Sequence, residues 1–132
     1  MTRLGTPLFS MTITALAMCG AAAFADTGIK VGDSAMGPVL TDANGMTLYT
    51  FAKDVKGSGA SACYDACAAN WPPLGVAASA RPLGDYSIII RQDGTRQWAY
   101  KGMPLYYFAK DAKPGDKMGN GLLGGAWKVA TP

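Results

Sequence analysis

Gly45 to Lys56 reads GMTLYTFAKDVK, and the chain returns to almost the same run, GMPLYYFAKDAK, from Gly102 to Lys113. Nine of the twelve positions are identical, and the second copy begins fifty-seven residues after the first. Self-similarity of this kind is the mark of a repeated structural unit. A tryptophan follows each copy at nearly the same distance. We therefore predict two related units, covering about residues 38–74 and 86–130.

The N-terminus has the pattern of an export signal. Arg3 supplies a positive start, Leu8 to Ala23 is largely apolar, and Ala23-Phe24-Ala25 forms a small-x-small cleavage site. We expect residues 1–25 to be removed and residues 26–132 to form a single periplasmic domain. A membrane-anchored alternative stays open, because Leu16 to Gly20 resembles a bacterial lipobox with Cys19 as the lipidated residue. Met18 stands where that motif normally has a small residue, which favours cleavage after Ala25.

The composition excludes many functions. The chain has 12 Lys and Arg against 9 acidic residues, a net charge of +3, and no histidine. Without histidine there is no Ser-His-Asp triad, no Cys-His pair, no c-type haem attachment and no histidine zinc site. The cations are scattered, so nothing indicates nucleic-acid binding. We expect no enzyme activity, no cofactor and no metal.

The local patterns indicate a mostly β chain. Asn44-Gly45 and Asp93-Gly94 separate apolar runs and predict two-residue hairpins. The predicted strands cover Gly28–Val31, Pro38–Thr41, Met46–Phe51, Tyr86–Arg91, Thr95–Tyr100, Met103–Phe108 and Trp127–Ala130. Strands this short suggest an all-β fold, a small barrel or sandwich of two pseudo-symmetric units. Ser61–Asn70 is predicted as one short helix that carries Cys63 and Cys67, and Lys113–Gly125 as a glycine-rich loop.

Side chains alternate along both repeated strands. Tyr49 and Phe51 face one side and Leu48 the other, and the second copy repeats this with Tyr106 and Phe108. Because both faces carry apolar groups, we expect these strands to be central and to pair around a pseudo-twofold axis.

The repeated Tyr-x-Phe-x-x-Asp pattern is the candidate site. Asp54 and Asp111 follow the two strands and could hold a ligand or a cation beside Tyr49 and Tyr106. Trp71 and Trp127 would be aromatic walls of the same site. The alternative is structural: an aspartate after a strand accepts turn N–H groups, and the aromatic rings fill the core.

Cys63 and Cys67 are predicted to form a disulfide, as nearby cysteines of exported proteins usually do. The alternative is a thiol-redox or copper(I)-handling pair, since soft metals prefer thiolates. The methionines are expected to pack and not to bind metal, and they are Met36, Met46, Met103 and Met118. Four lysines flank the aspartates at repeated offsets: Lys53, Lys56, Lys110 and Lys113. They are interpreted as solvated, with an anionic partner such as a phospholipid headgroup or a cell-wall polymer as the sharper alternative.

Four segments of the chain resemble a bacterial secreted-repeat family, often described as "predicted lipoprotein with Yx(FWY)xxD motif". They are Tyr49–Asp54, Cys63–Leu74, Tyr106–Asp111 and Gly125–Val129. The resemblance covers nearly all of the chain after residue 25. It implies a cell-envelope protein built from tandem repeats, and it implies no biochemical activity. We therefore predict a non-catalytic binding or interaction module whose partner is an unknown envelope component or small ligand. Contact with a membrane is expected only if Cys19 is lipidated.

Overall fold

The computed structural model describes residues 27–132 together with Gly5. Apart from Gly5, the predicted export signal, with Cys19 and Ala25, lies outside the described residues. Along 27–132 the elements are strands β1 Lys30–Ser34, β2 Gly37–Thr41, β3 Tyr49–Phe51, β4 Tyr86–Ile90, β5 Arg96–Tyr100, β6 Met103–Pro104 and β7 Trp127–Val129, and short helices α1 Ala66–Asn70 and α2 Leu122–Gly125. Within this range neither helix has the length and apolar character that a membrane span requires.

The strands form three small antiparallel sheets. β1 pairs with β2, β3 pairs with β7, and β5 lies between β4 and β6. These sheets do not close into a barrel. The prediction of an all-β fold of two units is confirmed. Each predicted strand overlaps an observed one: β1 and β2 reach beyond their predicted bounds, and the other five observed strands are shorter than predicted.

The two Asx-Gly hairpins form, but with one more loop residue than predicted. The N–H of Asp42 donates to the carbonyl of Met46 at 2.9 Å, and the N–H of Gly45 donates to the carbonyl of Asp42 at 3.1 Å. Three residues therefore connect the paired positions. The Asp42 carboxylate explains the wider loop, because its Oδ1 accepts the N–H groups of Asn44 and Met46. Arg91 and Thr95 close the second hairpin in the same way.

The two-residue turn lies instead between β5 and β6. Lys101 and Gly102 connect Tyr100 to its partner Met103, and both turn residues have positive φ, 48° and 83°. A tight hairpin turn with two positive φ values matches the twist of the flanking strands.

The two repeats meet at their central tyrosines. The N–H of Tyr49 donates to the carbonyl of Tyr106 at 2.8 Å, and the N–H of Tyr106 donates to the carbonyl of Tyr49 at 3.0 Å. These reciprocal bonds place equivalent residues of the two copies opposite one another, as the pseudo-twofold hypothesis requires.

The last segment of each repeat also pairs with the other repeat. β3 of the first repeat pairs with β7 of the second, which carries Trp127. The matching bonds on the other side run from Tyr107 N–H to the carbonyl of Pro72 at 2.7 Å and from Ala109 N–H to the carbonyl of Asn70 at 2.9 Å. The segment after Trp71 therefore lies beside the second repeat.

The α1 helix is shorter than the predicted Ser61–Asn70. It begins at Ala66, after Asp65 with a φ of 55°, and the residues from Ser61 to Tyr64 are not helical. Ser61 is buried and its hydroxyl lies 2.6 Å from the Tyr106 hydroxyl, so tertiary hydrogen bonding holds this segment out of the helix. The predicted loop Lys113–Gly125 ends in α2, whose residues Leu123 and Gly124 have left-handed backbone angles.

Alternation along the repeated strands divides the interior into two clusters. The first contains Tyr49, Phe51, Tyr106 and Phe108, together with both repeat tryptophans. The second contains Leu48 and Leu105 from the other faces of the same segments, packed with Leu40, Leu74 and Trp98. This confirms the predicted facing, and it explains why both faces of the repeat are apolar.

Candidate functional site

The repeated feature of the candidate site is a pair of hydrogen bonds that cross between the two copies. The Tyr49 hydroxyl donates to Oδ2 of Asp111 at 2.6 Å, and the Tyr106 hydroxyl donates to Oδ2 of Asp54 at 2.7 Å. Each aspartate therefore accepts a hydrogen bond from the tyrosine of the opposite copy. Bonds this short to a carboxylate belong to the strong, charge-assisted class.

The second oxygen of each aspartate holds the loop that follows its own strand. Oδ1 of Asp54 accepts the N–H of Ala62 at 2.7 Å, and Oδ1 of Asp111 accepts the N–H of Met118 at 2.9 Å. Both carboxylates are buried, with exposures of 6% and 9%. Each carboxylate thus ties three elements together: its own strand end, its own loop and the tyrosine of the other repeat.

Burial changes the acidity of these groups. Removal from water raises the pKa of Asp54, although its bonds from Tyr106 and Ala62 and the nearby charge of Arg91 lower it. Burial is also the first cause that raises the pKa of Tyr49 and of Tyr106, and the hydrogen bond to an aspartate adds to the rise in each case. Both tyrosines therefore remain protonated donors far into the alkaline range.

Four aromatic rings form a continuous column beside the tyrosines. Trp71 and Trp127 stack in parallel, with centroids 3.8 Å apart and 1° between planes. Phe51 stacks on the free face of Trp127 at 4.2 Å, and Phe108 stacks on Trp71 at 4.3 Å. The column is pseudo-symmetric, since its two halves contribute one Phe and one Trp each. Both faces of each indole are covered by neighbouring rings.

The tyrosines meet this column by their edges. Tyr49 lies 5.3 Å from Trp71 at 77°, and Tyr106 lies 5.1 Å from Trp127 at 87°. Such edge contacts and offset stacks contribute about 0.5–1.5 kcal/mol per pair beyond area burial. The structure therefore joins all six predicted site residues in one interior cluster. Whether any of them contacts a ligand stays a prediction.

A buried arginine network, which the repeat pattern did not reveal, supports the first aspartate. Arg91 is 4% exposed, and its Nη1 donates to Oγ of Ser61 at 3.0 Å and to Oε1 of Gln97 at 2.8 Å. Its Nη2 donates to the carbonyl of Cys63. The Ser61 hydroxyl contacts the Tyr106 hydroxyl, which donates to Asp54. Ser61 and Tyr106 therefore connect Arg91 to Asp54. Arg91 directly follows a strand of ordinary pattern, and no sequence signal marks it as buried.

The cysteines form the predicted disulfide. Cys63 and Cys67 are bonded, with their Cα atoms 5.2 Å apart. Cys63 lies before α1 and is fully buried in the first cluster, whereas Cys67 is a helix residue. The bridge therefore fastens α1 to the core beside the tryptophan column. Among residues 27–132, His, Cys, Asp and Glu form no group of three that could hold a metal ion.

The methionines divide into two kinds. Met46 and Met103, which occupy equivalent repeat positions, are half-buried. Met36 and Met118 are 49% and 62% exposed. The Nδ2 of Asn120 lies 3.9 Å from the sulfur of Met36. These positions agree with packing and surface roles.

One surface pocket reaches the aromatic column. It has a volume of about 290 Å³ and is lined by Asn70, Trp71, Phe108, Lys110, Leu122 and Leu123. Trp71 is the predicted site residue that lines it. The pocket opens between the end of α1 and the α2 turn, so both repeats and their exchanged segments form its walls.

Comparison with known protein families decides what kind of chain this is. A family model described as a secreted repeat of unknown function matches residues 30–75 and again residues 87–131. The chain belongs to this family. Its two matches correspond to the two repeats seen in the structure, and the family is described as secreted, which is consistent with the predicted export. None of the curated proteins and none of the solved structures matches the chain.

Proposed function

We propose that this member of the secreted-repeat family is a non-catalytic interaction module of the periplasm, which contacts its partner through the α2 turn and the adjoining pocket. The observation that carries the proposal is Leu123. This bulky residue has a φ of 53° and is 74% exposed. The left-handed conformation costs an L-residue about 1–2 kcal/mol. Strain at an exposed apolar side chain supports a contact role, since the interior gains nothing from it.

The surroundings of Leu123 suit the docking of an apolar group. Leu122, 39% exposed, precedes it on the same turn, and the pocket beside them is lined by Trp71 and Phe108. Glycines on both sides, Gly121 and Gly124, have positive φ and let the backbone form the turn. An apolar side chain of a partner that enters the pocket would meet leucine on one wall and aromatic edges on the other.

The interior groups support the non-catalytic part of the proposal. An acid or base needs a free position for the reacting atom. Both oxygens of Asp54 and of Asp111 already have a partner within the fold. Tyr49 and Tyr106 are fully buried as their donors. We infer that these four residues brace the two repeats and so hold the pocket in shape.

The test is site-specific photo-crosslinking in the native envelope. A photo-reactive amino acid is placed at Leu123, and a matched control carries it at Val55, which is 69% exposed on another loop. We expect a discrete adduct from position 123 and none of the same mass from position 55. Leu122→Asp should remove the adduct while the melting temperature stays unchanged.

A second variant separates bracing from contact. Asp111→Asn should lower the melting temperature, because it replaces the charged group that accepts two hydrogen bonds. The protein that stays folded should still form the adduct from position 123. Equal labelling from positions 123 and 55, or no adduct from either, would overturn the proposed interaction surface.

A further inference from the structure

A second surface depression has a different character from the pocket at α2. It is a groove of about 280 Å³ beside the β3–β7 sheet and the β5–β6 turn, and its lining includes Thr50, Tyr100, Met103 and three lysines, Lys56, Lys101 and Lys128. No acidic side chain is part of this lining among the described residues. The groove is therefore a local concentration of positive charge in a chain whose net charge is only +3.

The three lysines come from separate parts of the chain and are held by backbone contacts. Lys128 lies on β7 directly opposite Thr50 of β3, on the outward face of that pair. The loop that carries Lys56 is fastened to the β5–β6 turn, because the N–H of Gly57 donates to the carbonyl of Gly102 at 2.9 Å. The approach is close: a Cβ on Gly102 would lie 2.8 Å from the nitrogen of Gly57.

Lys101 occupies a position that is unfavourable for lysine. It is the first residue of the two-residue turn and has a φ of 48°. Such turns favour Asn, Asp or Gly there, since other L-residues are strained at positive φ. The chain nevertheless has a cation at this point, and its ammonium nitrogen lies 5.3 Å from the centroid of the Tyr100 ring. The left-handed backbone of Lys101 therefore supports a functional role for this residue.

The pseudo-symmetric equivalent of the groove provides an internal comparison. Asn44 stands at the position equivalent to Lys101, and Tyr107 at the position equivalent to Thr50. Pro72 follows Trp71 as Lys128 follows Trp127. The Tyr107 hydroxyl donates to a carboxylate, Oδ2 of Asp42, at 2.8 Å. The fold alone therefore does not produce the cationic groove, because its equivalent has a large ring, a carboxylate and fewer lysines.

We propose that this groove binds a phosphate group. An ammonium group is a point charge that suits phosphate oxygens. Three lysines that line one groove match an anion with more than one negative charge and several acceptors. The volume exceeds that of one phosphate, so part of the attached molecule also fits, beside Tyr100 and Met103. The phosphate can be carried by a soluble ester or by an envelope lipid, and both present the same chemistry.

The experiment titrates the full folded chain with two probes. One is inorganic pyrophosphate, and the other is vesicles of phosphatidic acid in phosphatidylcholine, with pure phosphatidylcholine vesicles as the blank. Amide NMR signals of Thr50 and Lys128 report binding in the groove for the soluble probe, and co-sedimentation reports binding to the vesicles. The test variant is Lys56→Gln/Lys101→Gln/Lys128→Gln. The matched control is Lys113→Gln, since Lys113 is the repeat equivalent of Lys56 and lies outside the groove.

We expect one probe or both to bind, and the triple variant to lose roughly tenfold or more in affinity. Lys113→Gln should change it less than about twofold. Pyrophosphate binding assigns the site to soluble phosphates, and binding of phosphatidic-acid vesicles alone assigns it to lipid. The proposal is overturned if neither probe binds, or if Lys113→Gln weakens binding as much as the triple variant does. Unchanged melting temperatures of both variants verify that each is folded. The groove is separate from the α2 turn, so this result does not depend on the crosslinking result.

Discussion

Gly119 tests how tightly the aromatic column is packed. A Cβ added to Gly119 would lie 2.5 and 2.7 Å from two ring carbons of Trp71 and 3.0 Å from Phe108. Favourable carbon contacts are about 3.5–4.0 Å. The indole cannot move aside, because Trp127 stacks on one face at 3.8 Å and Phe108 on the other at 4.3 Å. In Gly119→Ala the loop must therefore move outward, by about 1 Å for normal contacts.

That movement also disturbs the candidate site. The N–H of Gly119 lies 3.3 Å from the Tyr49 hydroxyl, and the neighbouring Met118 N–H donates to Oδ1 of Asp111. Overpacking of a well-filled core costs about 1–3 kcal/mol, and each weakened hydrogen bond about 1 kcal/mol. We expect the alanine variant to lose about 3–5 kcal/mol of unfolding free energy, in urea titrations monitored by tryptophan fluorescence.

The matched control is Gly75→Ala. A Cβ at Gly75 meets nothing within 4 Å, and its φ is not in the left-handed range. That variant should be neutral or stabilised by about 0.4–1 kcal/mol, because alanine restricts the unfolded chain. If Gly119→Ala has the same midpoint as the Gly75 control, the column is not held as rigidly as the ring contacts indicate, and the packing argument fails.

Three further predictions concern the core. Thr47 is 2% exposed and its Oγ1 has no hydrogen-bond partner, so Thr47→Val should raise the unfolding free energy by about 1 kcal/mol in urea titrations; a loss of stability would contradict it. The pKa values of Tyr49 and Tyr106 are raised in the folded state, so just above pH ~10 only the unfolded chain releases these protons. The unfolding free energy should therefore fall there by about 1.4 kcal/mol per tyrosine per pH unit. Denaturation curves that do not shift with pH would refute this prediction. Reduction of the Cys63–Cys67 bond, which closes a five-residue loop, should lower the free energy by about 2 kcal/mol, and an unchanged melting temperature would rule the estimate out.

The repeat predicted the architecture well, because it combines two independent signals. Period-two alternation identified which side of Tyr49 and Tyr106 faces the aromatic cluster, and the duplication itself indicated that the copies pair. The disulfide followed from export and spacing. These features depend on local pattern, and local pattern is what one sequence contains.

The parts that were missed depend on tertiary contacts. The first Asx-Gly hairpin is wider than predicted because the Asp42 carboxylate binds loop N–H groups, and in the second hairpin the Asp93 carboxylate accepts the N–H of Thr95; a turn dipeptide reveals neither contact. The helix starts late because Ser61 bonds across the fold to Tyr106. The burial of Arg91 depends on acceptors from Ser61 and the Cys63 carbonyl, which lie 30 and 28 residues away along the chain.

The six predicted site residues lie together, but ligand binding by them stays a prediction, and their hydrogen bonding was only partly visible in the sequence. The sequence placed Tyr-x-Phe-x-x-Asp at two equivalent points, but it did not reveal that each tyrosine serves the aspartate of the other copy. Nor did it separate Lys56, which lines the cationic groove, from its repeat equivalent Lys113, which does not. That difference arises from the residues around each lysine, because Lys101 and Lys128 stand where the equivalent place has Asn44 and Pro72.

The exchange of end segments between the two repeats bears on the ancestry of the protein and on how its repeats assemble. β7 completes the first repeat and the segment after Trp71 completes the second, so neither unit can stack its own tryptophan on its own phenylalanine. A chain with one repeat would need a second molecule to supply the missing strand. The molecule thus has the form of a two-fold homodimer whose subunits are fused head to tail through residues 76–85. Fusion makes a partnership that would depend on concentration permanent, and it frees the two halves to diverge, one toward a disulfide and the other toward a leucine-bearing turn.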